Sequence, residues 1–131
     1  ALDGKMTVFA GPVLNPKDPT HGYSNGATIQ VPMEFWKVVV CVSKENGAPE
    51  RLAYGLVFDQ TEPVQRLGYE RMNMDDYEIY QMPIADITSK TGVVFDESVR
   101  KADVLKGGGA DEAIRGHSGK RIRSLENLIL R

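Results

Sequence analysis

The sequence predicts an α+β fold: an antiparallel β-sheet with few helices. Three observations carry this. Residues Glu34 to Ser43 contain an almost unbroken apolar run, Phe35-Trp36-Lys37-Val38-Val39-Val40-Cys41-Val42, which is strand composition. A turn at Lys44–Pro49, with Asn46-Gly47 supplying the left-handed position, leads into a second alternating segment from Arg51 to Gln60. Helical signals are confined to a short stretch after Pro83 and to the C-terminus. With 131 residues, 41% hydrophobic and 26% charged, the chain has the size and composition of about one folded domain.

The elements follow in order. Lys5 to Ala10 is a strand, ended by Gly11-Pro12. Leu14 to Pro32, punctuated by Pro16, Pro19, Gly22 and Gly26, reads as a long loop; loops of that length are usually functional. The apolar run after Glu34 suits a strand covered on both faces. This chain offers few helices to cover it, so a second polypeptide is expected to complete the core. In the return strand, Leu52, Tyr54, Leu56 and Phe58 share one face, and Ala53, Gly55 and Val57 share the other. The small residues of that second face would let a helix approach closely.

Thr61 to Asp76 is polar and irregular by pattern. Tyr77 to Met82 is a further strand, and Pro83 opens a short helix in which Ile84 and Ile87 share a side. Gly92 is its C-cap, and Val93-Val94-Phe95 returns to the core. Residues 97–121 read as a flexible Gly-rich and basic loop around Gly107-Gly108-Gly109. Ile122, Leu125 and Ile129 have helical spacing, so residues 122–131 are expected to dock as a C-terminal helix.

Composition also excludes. One cysteine, Cys41, forbids an internal disulfide, and its apolar setting makes it a small buried hydrophobe. No apolar stretch is long enough to span a bilayer, and Ala1–Lys5 does not lead into a signal sequence, so no membrane partner is expected. The termini, Ala1 and Arg131, fit a cloned fragment, a processed chain or a proteolytic product. Sixteen basic against eighteen acidic residues give a net charge of −2, so any nucleic-acid contact must be a local basic patch. Asp75-Asp76 with Glu78 reads as a solvated edge, and the glycine run lacks the Lys-Ser/Thr of a phosphate loop.

Four segments occur in an order that resembles one family. They are Val8-Phe9-Ala10-Gly11-Pro12-Val13, Val31-Pro32-Met33-Glu34-Phe35-Trp36-Lys37-Val38-Val39, Ala53-Tyr54-Gly55-Leu56-Val57-Phe58-Asp59-Gln60, and Tyr80-Gln81-Met82-Pro83-Ile84-Ala85-Asp86-Ile87-Thr88-Ser89-Lys90-Thr91-Gly92. Together they look like the C-terminal half of the DNA/RNA non-specific endonucleases, a ββα-metal nuclease family. The resemblance covers roughly residues 4–96, with a weaker echo in Ser124–Leu130. It implies that residues 1–96 are the C-terminal half of a nuclease domain, and that the substrates are DNA and RNA.

The resemblance also implies a missing part. The family signature, Asp-Arg-Gly-His with a later metal-binding asparagine, precedes the Gly-Pro turn, and only ten residues precede that turn here. The catalytic histidine, the asparagine and the Mg²⁺ they serve are therefore expected outside this chain, on an upstream N-terminal half that is a second chain or a missing segment. Arg115-Gly116-His117 repeats three letters of the signature, but it lacks the acidic residue and lies in the glycine-rich region.

No catalytic or metal residue is expected in this chain. The candidate nucleic-acid contacts are Lys37, His21, Arg121 and Arg123. Each has a plainer reading. Lys37 could be a rim lysine with a packed stem, and His21, near Asp18, a solvated loop histidine. Arg121 and Arg123, with Arg115, His117 and Lys120, could be a solvated tail or a phosphate-binding cluster. The functional alternative is a non-catalytic binding module derived from the nuclease scaffold. Family members are secreted, periplasmic or organellar, which leaves the compartment open.

Overall fold

The computed structural model describes residues 4–44, 47–68, 76–105 and 119–130. The apolar run forms strand β4 (Glu34–Ser43), at the heart of a five-stranded antiparallel sheet. Its neighbours are β1 (Met6–Val13) on one side and β5 (Glu50–Asp59) on the other. Strands β6 (Glu78–Met82) and β7 (Lys120–Ile122) extend the sheet in the order β1-β4-β5-β6-β7. The expected α+β class, a mostly antiparallel sheet with few helices, is the one observed.

Register assigns the two faces. Trp36 lies opposite Val57, Val38 opposite Gly55 and Val40 opposite Ala53, so these six share one face. Tyr80 and Met82, opposite Val57 and Gly55, continue it. This inner face is the main core, closed by Ile84 and Ile87 of helix α2 (Ile84–Thr91) and by Phe95. The Phe95 ring meets Trp36 edge-on at 5.6 Å and Phe9 at 6.1 Å. The close helix approach expected over Ala53, Gly55 and Val57 is real at Gly55. An added Cβ there would collide with the Met82 carbonyl oxygen and lie 3.0 Å from Ile87 Cδ1. Gly92 adopts the left-handed C-cap, at φ 75°.

The outer face carries Phe35, Lys37, Val39 and Cys41 of β4, opposite Phe58, Leu56, Tyr54 and Leu52 of β5. Cys41, Leu52 and Tyr54 form a second buried cluster there. Over β5 and β6 this face is crossed by the C-terminal segment. Gln81 Nε2 donates to the Ile129 carbonyl at 2.8 Å, the Ile129 N–H donates back to Gln81 Oε1 at 2.7 Å, and the Tyr54 hydroxyl donates to the Leu130 carbonyl at 3.1 Å. Cover on both faces of β4 was expected, and no residue of β4 is exposed: on the outer face Phe35, Lys37 and Val39 are half-buried and Cys41 is buried. The exposed part of that face belongs to the edge strand β1, with Met6 56% and Val8 51% exposed.

Several elements differ from the sequence expectation. The C-terminal residues do not form the expected helix over 122–131. Residues Lys120–Ile122 pair with β6 as β7, and only a 3-10 turn, Leu125–Asn127, follows. An isolated helix this short is not stable in water, whereas the open edge of β6 offers unpaired backbone groups. Leu125, one of the three apolar positions, is 88% exposed. Residues 97–121, expected as a flexible loop, contain helix α3 (Glu97–Lys101), whose first turn is capped by Asp96 accepting from the Ser98 N–H at 2.8 Å. A parallel bridge, Ala53 with Asp103, follows it.

Thr61–Leu67 is helix α1 rather than irregular chain. Asp59 Oδ1 accepts from the Thr61 N–H at 2.8 Å, and Glu62 pairs with Arg66 at 2.9 Å, one turn on. These local supports offset a polar composition. Gly11-Pro12 does not end β1, which runs to Val13. Pro12 lies on an edge strand, where its missing N–H costs no ladder bond. The long loop encloses a small hairpin, β2 (Thr20–Gly22) with β3 (Thr28–Gln30), pinned by Gln30 Nε2 donating to the carbonyls of Asn15, Pro16 and Asp18. Asn46, Asp75, the triglycine and Arg115-Gly116-His117 lie outside the described residues.

Candidate functional site

Strands β1, β4 and β5 place one lysine among aromatic rings. Phe35 and Phe58 are direct cross-strand partners on the outer face, and Lys37 follows two residues after Phe35. With Ala10, Gly11, Trp36 and Tyr77 these residues line a cavity of about 180 Å³. The Lys37 ammonium stands 5.0 Å from the centre of the Phe58 ring, within cation–π range. Tyr77 meets Phe58 edge-on at 6.5 Å. Gly11, paired with Trp36, makes room on the other face for the Trp36 ring, because an added Cβ would lie 3.0 Å from Trp36 Nε1. Among the described residues no carboxylate pairs with Lys37.

A second polar group lies on the inner face. Glu78, opposite Asp59 in the register, is buried rather than the solvated edge expected from sequence. Its Oε2 accepts from the Tyr80 hydroxyl at 2.9 Å, and its Oε1 from Arg121 Nη2 at 3.2 Å. Burial, and then the hydrogen bond and negative charge of Glu78, push the Tyr80 hydroxyl pKa up to about 12. Asp59 caps Thr61, and Glu34 pairs with Lys90 at 3.5 Å. The acidic side chains of this row are thus held by protein partners. Among the described residues no set of three His, Cys, Asp or Glu side chains could hold a metal ion.

The four candidate contacts are not brought together. Lys37 is on the outer face of β4 and Arg121 on the inner face of β7, three strands away, or ~14 Å across the sheet. Arg121 is engaged by Glu78. His21 lies in the exposed β2–β3 hairpin, edge-on to Tyr23 at 5.2 Å. Arg123 is exposed just past β7, its backbone N–H donating to Asn127 Oδ1 at 3.1 Å. Sequence reasoning missed the aromatic cavity and the Glu78–Tyr80–Arg121 network. The alternation of Phe35 with Lys37 held a signal for the first; the second depends on β7 pairing with β6, which no local pattern announces.

Fold and site together define a sheet scaffold of α+β class, with a lysine-bearing apolar cavity. The chain belongs to the DNA/RNA non-specific endonuclease family, whose model matches residues 1–102. The uncharacterized protein y4fB of Sinorhizobium fredii is 28% identical over 116 residues, a match that covers 85% of this chain and 16% of that protein. The chain thus spans about one sixth of that relative's length. No solved structure matches it.

Proposed function

We propose that this chain is the scaffold part of a Mg²⁺-dependent endonuclease that cleaves phosphodiester bonds in DNA and RNA without sequence preference. The family match over residues 1–102 carries the reading. In this reading the general-base histidine and the metal-binding asparagine belong to an upstream polypeptide. When bound there, the Mg²⁺ would stabilise the charge that develops at the scissile phosphate. This chain supplies the rigid sheet on which that polypeptide is held. His21 and Arg123, both on the exposed surface, are assigned to phosphate contact. Arg121 is assigned to structure, because Glu78 already holds its guanidinium.

The test is plasmid and RNA degradation by two preparations: the 131-residue chain alone, and the chain with the polypeptide encoded immediately before Ala1. Cutting is expected only from the second, only with Mg²⁺, and abolished by a chelator. Equal cutting by the chain alone, or none from the pair, would overturn the proposal. The second result would favour a binding module that kept the scaffold and not the chemistry.

A further inference from the structure

One arm of the molecule stands clear of the sheet. Residues 19–30, which contain the β2–β3 hairpin, are all exposed. The stem of the arm is fixed. Gln30 Nε2 donates to the carbonyls of Asn15, Pro16 and Asp18, and the Val31 N–H donates to the Pro19 carbonyl at 2.8 Å. The tip is closed as well. The Tyr23 N–H donates to the Ala27 carbonyl at 2.8 Å, the Gly26 N–H to the Tyr23 carbonyl at 3.0 Å, and the Ala27 N–H to Asn25 Oδ1 at 2.9 Å.

The two faces of the hairpin differ. Gln30 and its cross-strand partner Thr20 share one face with Gly22 and Thr28. His21 and its partner Ile29 lie on the other. Tyr23 joins them there, its ring edge-on to His21 at 5.2 Å. Tyr23 is 51% and Ile29 47% exposed. No Asp, Glu, Lys or Arg occurs in residues 19–30, and Lys17 is exposed at the stem.

Size and charge select the occupant. A stable protein contact takes about 20–30 residues a side, and this face offers three side chains. A nucleobase needs one aromatic ring to stack on, and each stacked base strengthens binding by about tenfold. The Tyr23 and His21 rings are set against each other and carried on a closed turn, so little freedom is lost on contact. No carboxylate stands on the hairpin to repel a phosphate, and the His21 imidazole offers a donor beside the stack.

We propose that the β2–β3 hairpin is a base-stacking finger. It takes one unpaired nucleobase against the Tyr23 ring, with Ile29 beside it and His21 on the phosphate of the same nucleotide. It favours single strands over closed duplex, whose stacked bases present no free face. The inference rests on the proposed function for nucleic acid as the ligand. It deepens that reading by adding Tyr23, Ile29 and a base to the phosphate contact assigned to His21.

The test is fluorescence anisotropy on the protein as isolated, together with any polypeptide that precedes Ala1, in excess chelator so that no strand is cut. The probes are a short labelled oligothymidylate, an abasic strand of equal length and charge, and a duplex of equal length. Stacking predicts that Tyr23→Ala weakens oligothymidylate binding about tenfold and that Tyr23→Phe preserves it. Binding of the abasic strand and of the duplex should be the same in the wild-type protein and in Tyr23→Ala. Failure of the wild-type protein to bind oligothymidylate overturns the proposal, as does equal binding by Tyr23→Ala. An equal loss on the abasic strand also overturns it, because the base would then play no part. A dimer of this chain that Tyr23→Ala dissolves, read by light scattering, would give the face to a second copy instead. Plasmid cutting by the same sample, once Mg²⁺ is restored, separates the two readings. Base-dependent binding without cutting keeps the finger and sinks the nuclease; cutting with no effect at Tyr23 does the reverse.

Discussion

At Gly55, strand β5 meets the backbone at the end of β6 and the tip of Ile87 of helix α2. Its position against the Met82 carbonyl leaves no room for a methyl group, and a carbonyl in a β-ladder cannot move aside as a flexible side chain can. Gly55→Ala is expected to cost about 3 kcal/mol, the upper part of the overpacking range, read as a lower midpoint in urea unfolding. Tyr80 makes a different kind of prediction. Its hydroxyl holds its proton more tightly in the folded chain, with the pKa raised from 10.0 to about 12. The stabilisation is therefore complete below about pH 10 and lost as the pH rises through 12. Tyr80→Phe should cost about 1 kcal/mol at neutral pH, by removing one hydrogen bond to Glu78. It should also flatten the fall in stability between pH 10 and 12. Unfolding midpoints for both proteins across that range are the check; an unchanged alkaline slope would show that Tyr80 is not its source.

At the scale of elements, the C-terminal segment is held by a side chain in place of a helix. Both polar atoms of the Gln81 amide bond the backbone of Ile129, and Gln81 is fully buried. Gln81→Leu keeps the volume but leaves the Ile129 N–H and carbonyl without partners, at a cost of about 1–3 kcal/mol. The segment should then lift from the outer face. Hydrogen exchange at Ile129 should rise toward that of an open chain while the amides of β4 and β5 stay protected; protection unchanged at Ile129 would mean the segment is held by packing alone. The same reasoning covers β7. Its strand state comes from the free edge of β6 and from Arg121 reaching Glu78, not from the propensity of Lys120-Arg121-Ile122.

For the molecule as a whole, charge sets the expectation. A net charge of −2 spread over the surface gives no long-range attraction for nucleic acid. Binding should therefore depend on a few local contacts, and its salt dependence should be shallow. If Arg123 meets a phosphate, Arg123→Ala should reduce the slope of log affinity against log salt by about 1 and leave stability unchanged. Arg121→Ala should act differently. It strips the guanidinium from a buried carboxylate, so it should lower the unfolding midpoint before it alters the salt slope. Fluorescence anisotropy across a salt series, with thermal melts of the same variants, distinguishes the two; a stability loss at Arg123 or none at Arg121 would reverse these assignments.

The sequence by itself determined the long strands at the centre of the sheet. The apolar run Phe35–Val42 and the alternation from Leu52 to Phe58 are local signals, and each became the strand expected. The family was legible for the same reason, since its marks are short segments in a fixed order that need no folding to read. Tertiary structure alone decided the rest. The C-terminal residues carry weak helical spacing, yet an open strand edge and the Gln81 amide captured them, and both partners lie some forty residues away in sequence. Glu78 sits at a polar border in the sequence, but strand pairing turns it inward and Arg121 arrives from across the sheet to hold it. The exposed outer face of β1 is likewise a property of what covers what. Periodicity reports which residues share a face; only the folded chain reports which part of that face is left open.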